Sequence, residues 1–136
     1  RQAVKAGARL LCGGRRKGAL LEPTVVVDVD PDSLLVTSET FGPVAAVIKF
    51  EDYEDAVTMI NNTIYGLNSA IVSNDESLIQ NFINRIDVGG IRVNMPPGFR
   101  SENVPFGGNK SSGFGRSGVW PSILEMTNQK TIIRKE

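Results

Sequence analysis

The sequence predicts an α/β protein, a partial parallel sheet with flanking helices, and three observations carry that expectation. Val44 to Phe50 is a nearly continuous apolar run, the pattern of a strand buried on both faces. Two amphipathic stretches follow, with apolar residues at Tyr53, Ala56, Val57 and Ile60, then at Leu78, Ile79, Phe82, Ile83 and Ile86. Each is followed by a short apolar segment, Ser69 to Ser73 and then Gly90 to Asn94. An order of strand, helix, strand, helix, strand calls for parallel strands joined by helical crossovers.

The remaining elements follow from local signals. Val4 to Leu11 reads as the end of a helix running into a short strand, with a turn at Gly13 to Gly18 whose Arg15-Arg16-Lys17 forms a solvated hairpin tip. Thr24 to Val29 is β-branched and bounded by prolines, hence a strand. Asn74 or Asp75 caps the second helix. Residues 95 to 118 are a long loop rich in Gly and Pro, and loops of that length in a compact domain are usually functional. Pro121 suits the first turn of a helix reaching about Asn128. Thr131 to Arg134 closes the chain as a strand, and an unpaired strand seeks a partner, so the chain is expected to associate.

Bulk properties exclude several classes. The 136 residues suffice for one core, and 40% hydrophobic with 22% charged residues is ordinary for a globular protein. Lys+Arg and Asp+Glu balance at 15 each, so no electrostatic footprint of nucleic-acid or membrane-surface binding exists. No apolar run could span a bilayer, and Arg1-Gln2-Ala3-Val4-Lys5 is not a signal peptide. With no histidine, a Ser-His or Cys-His nucleophile pair is absent, and with one Cys there is no zinc set and no internal disulfide. A single thiol fits a reducing cytoplasm.

Two stretches stand out chemically. In Ser38-Glu39-Thr40-Phe41-Gly42-Pro43-Val44, an extended backbone would turn Glu39 and Phe41 to one side. A carboxylate there accepts two hydrogen bonds from a vicinal diol such as a ribose, and a phenyl face packs on a flat heterocycle. The plainer reading is a solvated Glu and a core Phe. Gly42 would permit a strained turn and Pro43 fix the exit into the strand. The second stretch is Val104 to Arg116. Its Gly113-Phe114-Gly115-Arg116-Ser117-Gly118 formally fits the dinucleotide fingerprint, yet no strand precedes it and too little chain follows for a βαβ unit. Its glycines are better read as tight turns, with Arg116 bonding carbonyls or a carboxylate.

Between these, Met95 to Ser101 carries Phe99 and Arg100. The planar fork of Arg100 suits a carboxylate or phosphate on a substrate, against the plainer reading of a surface Arg. Cys12 follows Arg9-Leu10-Leu11 in a short strand, where a small buried and inert hydrophobe is expected rather than a nucleophile. The sequons at Asn61 and Asn109 carry no weight without signs of secretion.

Taken in order, these motifs resemble the C-terminal part of the catalytic domain of an NAD(P)-dependent aldehyde dehydrogenase. The resemblance spans essentially the whole chain: Leu21-Glu22-Pro23-Thr24-Val25, Glu39-Thr40-Phe41-Gly42-Pro43-Val44, Asn61 with Tyr65-Gly66-Leu67, Gly89 to Asn94, Pro105-Phe106-Gly107-Gly108, Lys110, Ser112-Gly113, Gly115-Arg116 and Lys130. It implies that Glu39 holds the nicotinamide ribose of NAD or NADP and Phe41 contacts the nicotinamide. It implies that Met95, Phe99 and Arg100 line the tunnel taken by the aldehyde, and that the catalytic Cys and general-base Glu lie outside this chain. It further implies residues 1–128 as catalytic-domain segment and 129–136 as the terminal strand of an oligomerisation sheet, in a homo-oligomer. The implied reaction oxidises an aldehyde to a carboxylate through a Cys thiohemiacetal and a thioester. A CoA-acylating relative and a non-catalytic assembly domain stay open beside it. One departure is Ser38, where many members carry an acidic residue.

Overall fold

The structure is a computed structural model describing residues 1–135, in two compact units, Arg1–Met59 and Ile60–Glu136. Glu136, the last residue of the expected terminal strand region, lies outside the described residues.

The first unit contains α1 (Gln2–Lys5), β1 (Arg9–Cys12), β2 (Arg16–Lys17), β3 (Leu20–Leu21), β4 (Thr24–Val27), α2 (Leu34–Thr37), β5 (Val44–Val47) and most of α3 (Tyr53–Asn61). Its sheet has the order β1-β4-β5. β5 runs parallel to β4, Val26 facing Ala46, whereas β1 is antiparallel to it, Leu10 facing Val26. The sheet is therefore mixed. The antiparallel strand arises because β1 returns through a short β2-β3 hairpin, a connection too brief for a parallel crossover. Gly13 and Gly14, at φ 73° and 83°, start that reversal, and a side chain on Gly13 would strike the Pro23 carbonyl. The pair Arg16 and Lys17 is exposed as expected but forms strand β2, and the tip is Gly18-Ala19.

The core of this unit is Ala8, Val26 and Val29, with Ala3, Leu35, Val36 and Ile48 packed against it. Thr24 is buried and fully engaged: its hydroxyl donates to Glu22 O (2.7 Å) and accepts from Gly14 N (2.9 Å), while its N–H reaches Pro43 O (2.8 Å). This joins the hairpin, β4 and the start of β5 at one point. The expectation that Val44 to Phe50 is buried on both faces is not met: Ala45, Ala46 and Val47 are exposed and Phe50 is 56% exposed. β5 is the edge of a three-stranded sheet, so a run composed for double burial has no covering layer in this unit.

The second unit holds β6 (Tyr65–Gly66), β7 (Asn68–Ile71), α4 (Glu76–Arg85), β8 (Gly90–Val93), β9 (Asn109–Lys110) and α5 (Val119–Glu125). β7, α4 and β8 form the expected crossover, with β7 and β8 parallel and Ser69 facing Ile91. Asp75, rather than Asn74, caps α4 by accepting from Leu78 N at 3.1 Å. Ile79, Phe82 and Ile86 are buried along its inner stripe. Asn94 stops β8 at φ 56° and exchanges two bonds with the Ser73 backbone, 2.9 and 3.0 Å, tying the strand ends together.

The stretch 95–118 is not one open loop. It contains β9, antiparallel to β6, and a bridge between Phe106 and Ser117. Nothing in its Gly-rich composition signals these pairings, because each is two residues or fewer and depends on a distant partner. The last helix ends at Glu125, short of Asn128, with Pro121 as its third residue. Thr131 to Arg134 carries no strand, and Ile132 and Ile133 are exposed. A strand exists through its ladder, and this segment meets no partner edge among the described residues.

Candidate functional site

Glu39 and Phe41 lie in the first unit, on the connection from the last turn of α2 to β5. Ser38 N bonds Leu34 O (3.2 Å) at one end, and Pro43 O accepts from Thr24 N at the other, so the intervening backbone is fixed at both ends. Phe41 is 94% exposed, which overturns the reading of a ring plugging the core. Glu39 is exposed and has no hydrogen-bond or ion-pair partner among the described residues. Carboxylate and ring are both available to a ligand. Gly42 has no positive φ, and a side chain there would meet only Leu21 at 3.9 Å, so the expected strained turn is not its role.

The second unit places the Gly-rich stretch in a dense polar network. Asn61, at the end of α3, donates to Arg85 O (2.8 Å) and accepts from Asp87 N (3.0 Å), satisfying groups at the C-terminus of α4. The Asp87 carboxylate accepts from Asn109 Nδ2 at 2.7 Å and lies 3.8 Å from Lys110 Nζ, which donates to Asn61 O at 2.9 Å. Arg116 spreads its guanidinium over Gly108 O (3.1 Å), Gly115 O (2.9 Å) and Asn109 Oδ1 (2.6 Å). The reading of Arg116 as a binder of carbonyls is thus met. Ser112 Oγ accepts from Gly66 N (2.9 Å), and Ser111 N donates to Ile64 O (2.9 Å). Gly113, Gly115 and Gly118 take positive φ, as tight turns require. Phe114, between two of them, projects fully into solvent. Asp87 is the centre that sequence reading missed. A lone acidic residue two positions past a helix carries no periodic signal.

Met95, Phe99 and Arg100 follow β8 in the same unit, and all three are exposed. Arg92, on β8, donates from Nε to Phe99 O at 3.0 Å. Arg100 lies over the Phe106 ring, 4.5 Å from its centroid. Cys12 is free and exposed, which corrects the expectation of a buried thiol. It stays in the ladder opposite Val25 after the register shift that follows Leu10, and all four residues of β1 are exposed. Among the described residues no three His, Cys, Asp or Glu side chains gather where they could hold a metal, and no helix is long and apolar enough to cross a membrane.

The profile of the Aldehyde dehydrogenase family matches residues 1–132, and the chain belongs to that family. It is 41% identical over 132 residues to the sulfoacetaldehyde dehydrogenase of Neptuniibacter caesariensis, covering 97% of this chain and 29% of that protein. Among solved structures, it superposes with a TM-score of 0.88 and 43% identity on the glyceraldehyde-3-phosphate dehydrogenase of Methanocaldococcus jannaschii complexed with NADP, covering 96% of this chain and 28% of that one. It superposes at 0.86 and 41% identity on aldehyde dehydrogenase 21 of Physcomitrella patens in complex with the reaction product succinate, covering 91% and 26%. The chain spans somewhat more than a quarter of the length of these relatives.

Proposed function

We propose that this chain is the segment of an NAD(P)-dependent aldehyde dehydrogenase that clamps the nicotinamide ribose and lines part of the aldehyde tunnel. The observation that carries the reading is the segment Glu39-Thr40-Phe41, held at both ends yet offering an unpartnered carboxylate and an open ring, in a chain that the family matches over residues 1–132. Those two groups fit a nicotinamide ribose, because the carboxylate accepts from both sugar hydroxyls while the ring packs beside the heterocycle. When bound, the cofactor supplies a hydride acceptor. The role of Glu39 and Phe41 is to hold that acceptor where hydride transfer is short and aligned.

In this reading the thiolate that adds to the aldehyde carbonyl, and the Glu that activates water against the thioester, come from the rest of the protein. Met95, Phe99 and Arg100 face the substrate, and Arg100 pairs with an anionic group on it. The sulfonated substrate in the name of one relative and the succinate bound in another support an acidic aldehyde. We place the protein in the cytoplasm, as a homo-oligomer in which Thr131 to Arg134 completes its ladder on another subunit.

The deciding assay is Glu39→Gln in the full-length enzyme. The expected result is a fall in kcat of about tenfold or more, through loss of charge-assisted bonds to the ribose, with aldehyde KM little changed. Unaltered kinetics would remove Glu39 from the clamp. The chain alone is expected to give no aldehyde-dependent NADH or NADPH, and turnover lost in Cys12→Ser would instead make Cys12 a nucleophile.

A further inference from the structure

Arg100 is held at two points that serve no evident purpose for a simple surface residue. One residue upstream, the Phe99 carbonyl is fixed by Arg92 Nε at 3.0 Å, within a turn closed by Phe99 N to Pro96 O at 3.2 Å. At its far end the guanidinium lies on the Phe106 ring, 4.5 Å from the centroid. The backbone that carries that ring is anchored. Phe106 N donates to Ser117 O (2.8 Å), Ser117 N donates to Phe106 O (2.7 Å), and Ser117 Oγ adds a third bond to the same carbonyl at 3.1 Å. Phe106 is half-buried in the loop that Arg116 braces from within.

Stacking uses the face of a guanidinium and leaves its N–H donors, which lie in the plane, available. Arg100 has no carboxylate partner among the described residues to occupy them. A flexible arginine must be ordered by its ligand at an entropic cost, whereas one laid on a fixed ring is already ordered.

We propose that Phe106 is a positioning residue that sets Arg100 for bidentate recognition of the anionic head group of an aldehyde substrate. This rests on the reading of Arg100 as the anion-binding residue, and it adds the element that fixes its aim. Phe106 acts through Arg100.

The test compares 4-oxobutanoate with pentanal, a neutral aldehyde of similar length, in the full-length enzyme. The ratio of the two kcat/KM values is the readout, because a merely structural defect lowers both alike. Phe106→Leu is expected to reduce the preference for 4-oxobutanoate by about three- to tenfold, mostly through its KM, and Phe106→Tyr, which keeps the ring, to restore it. Arg100→Met is expected to abolish the preference. Loss with Arg100→Met but an unchanged ratio in Phe106→Leu would overturn the role of Phe106 alone. An unchanged ratio in Arg100→Met would overturn the anionic reading beneath it. Independently of activity, the Arg100 side-chain protons should be shifted upfield by the ring in NMR spectra and return in Phe106→Leu. Absence of that shift would show that the stack does not form in solution, and would sink the proposal.

Discussion

Gly89 and Gly107 meet backbone to backbone: a Cβ on Gly89 would collide with the Gly107 carbonyl and come within 3.0 Å of the Gly108 Cα. The Gly-rich stretch therefore lies directly against the approach to β8, with Gly89 N held on Gly66 O at 2.9 Å. Gly89 is needed not for its own φ but for the space between two backbones 18 positions apart, whereas a Cβ on Gly107 would strike the Gly115 carbonyl. Gly89→Ala is expected to destabilise the protein by about 1–3 kcal/mol, the range for an overpacked contact without room to relax. Urea denaturation gives the magnitude. Amide exchange should localise the effect, with Gly66 and Ser111 exchanging faster.

Arg116→Lys tests whether the fork is needed rather than the charge. Three acceptors at 2.6 to 3.1 Å converge on one guanidinium, and a single ammonium on a flexible stem cannot reproduce that arrangement. A loss of about 1–3 kcal/mol in thermal or urea unfolding is expected, in line with bonds to charged groups. A variant as stable as the parent would mean that the glycine turns alone hold the loop.

Acid sensitivity should centre on Asp28. Its carboxylate accepts from Arg9 Nε at 2.8 Å and lies 3.9 Å from Lys49 Nζ. The Arg9 hydrogen bond, helped by the charges of Arg9 and Lys49, holds its pKa below the ordinary 3.8. A depressed folded-state pKa stabilises above the unfolded value and loses that contribution as pH falls through the folded one. The gap in urea midpoint between the parent and Asp28→Asn should therefore be constant above about pH 5 and shrink below about pH 4. Asn tolerates the φ of 55° at this position, so the comparison isolates the charge. A gap that widens in acid would contradict the assignment.

Asp75→Ala removes the side chain that caps α4. The expected cost is about 1 kcal/mol, measurable as a lower midpoint, with earlier exchange of the Leu78 amide. Asp75→Asn should recover most of it.

Much of this architecture was legible in the chain. The crossover from β7 through α4 to β8 follows from a 3.6-residue stripe set between apolar segments, and periodicity of that kind is a local property. The family resemblance was legible for the same reason: Glu39-Thr40-Phe41-Gly42-Pro43 and the Gly-rich signature are continuous strings. Reading failed where the outcome depended on something distant. The run Val44 to Phe50 is composed for burial, but burial needs covering layers that its unit lacks. Thr131 to Arg134 has the composition of a strand, but a strand needs an edge to pair with. Cys12 has the composition of a core residue, but β1 is an edge strand exposed along its whole length. The short helix α2 was invisible because four residues carry no period.

The sequence by itself thus determined the amphipathic helices, the tight turns and the family, because helical stripes, turn glycines and motif strings are set by neighbours along the chain. Only the tertiary structure decided that Asp87, Asn109, Lys110 and Arg116 form one network, that Gly89 and Gly107 touch, and that Arg100 rests on Phe106. Those contacts join residues 6 to 23 positions apart, and pairings at such separations are fixed by packing geometry, which no local pattern records.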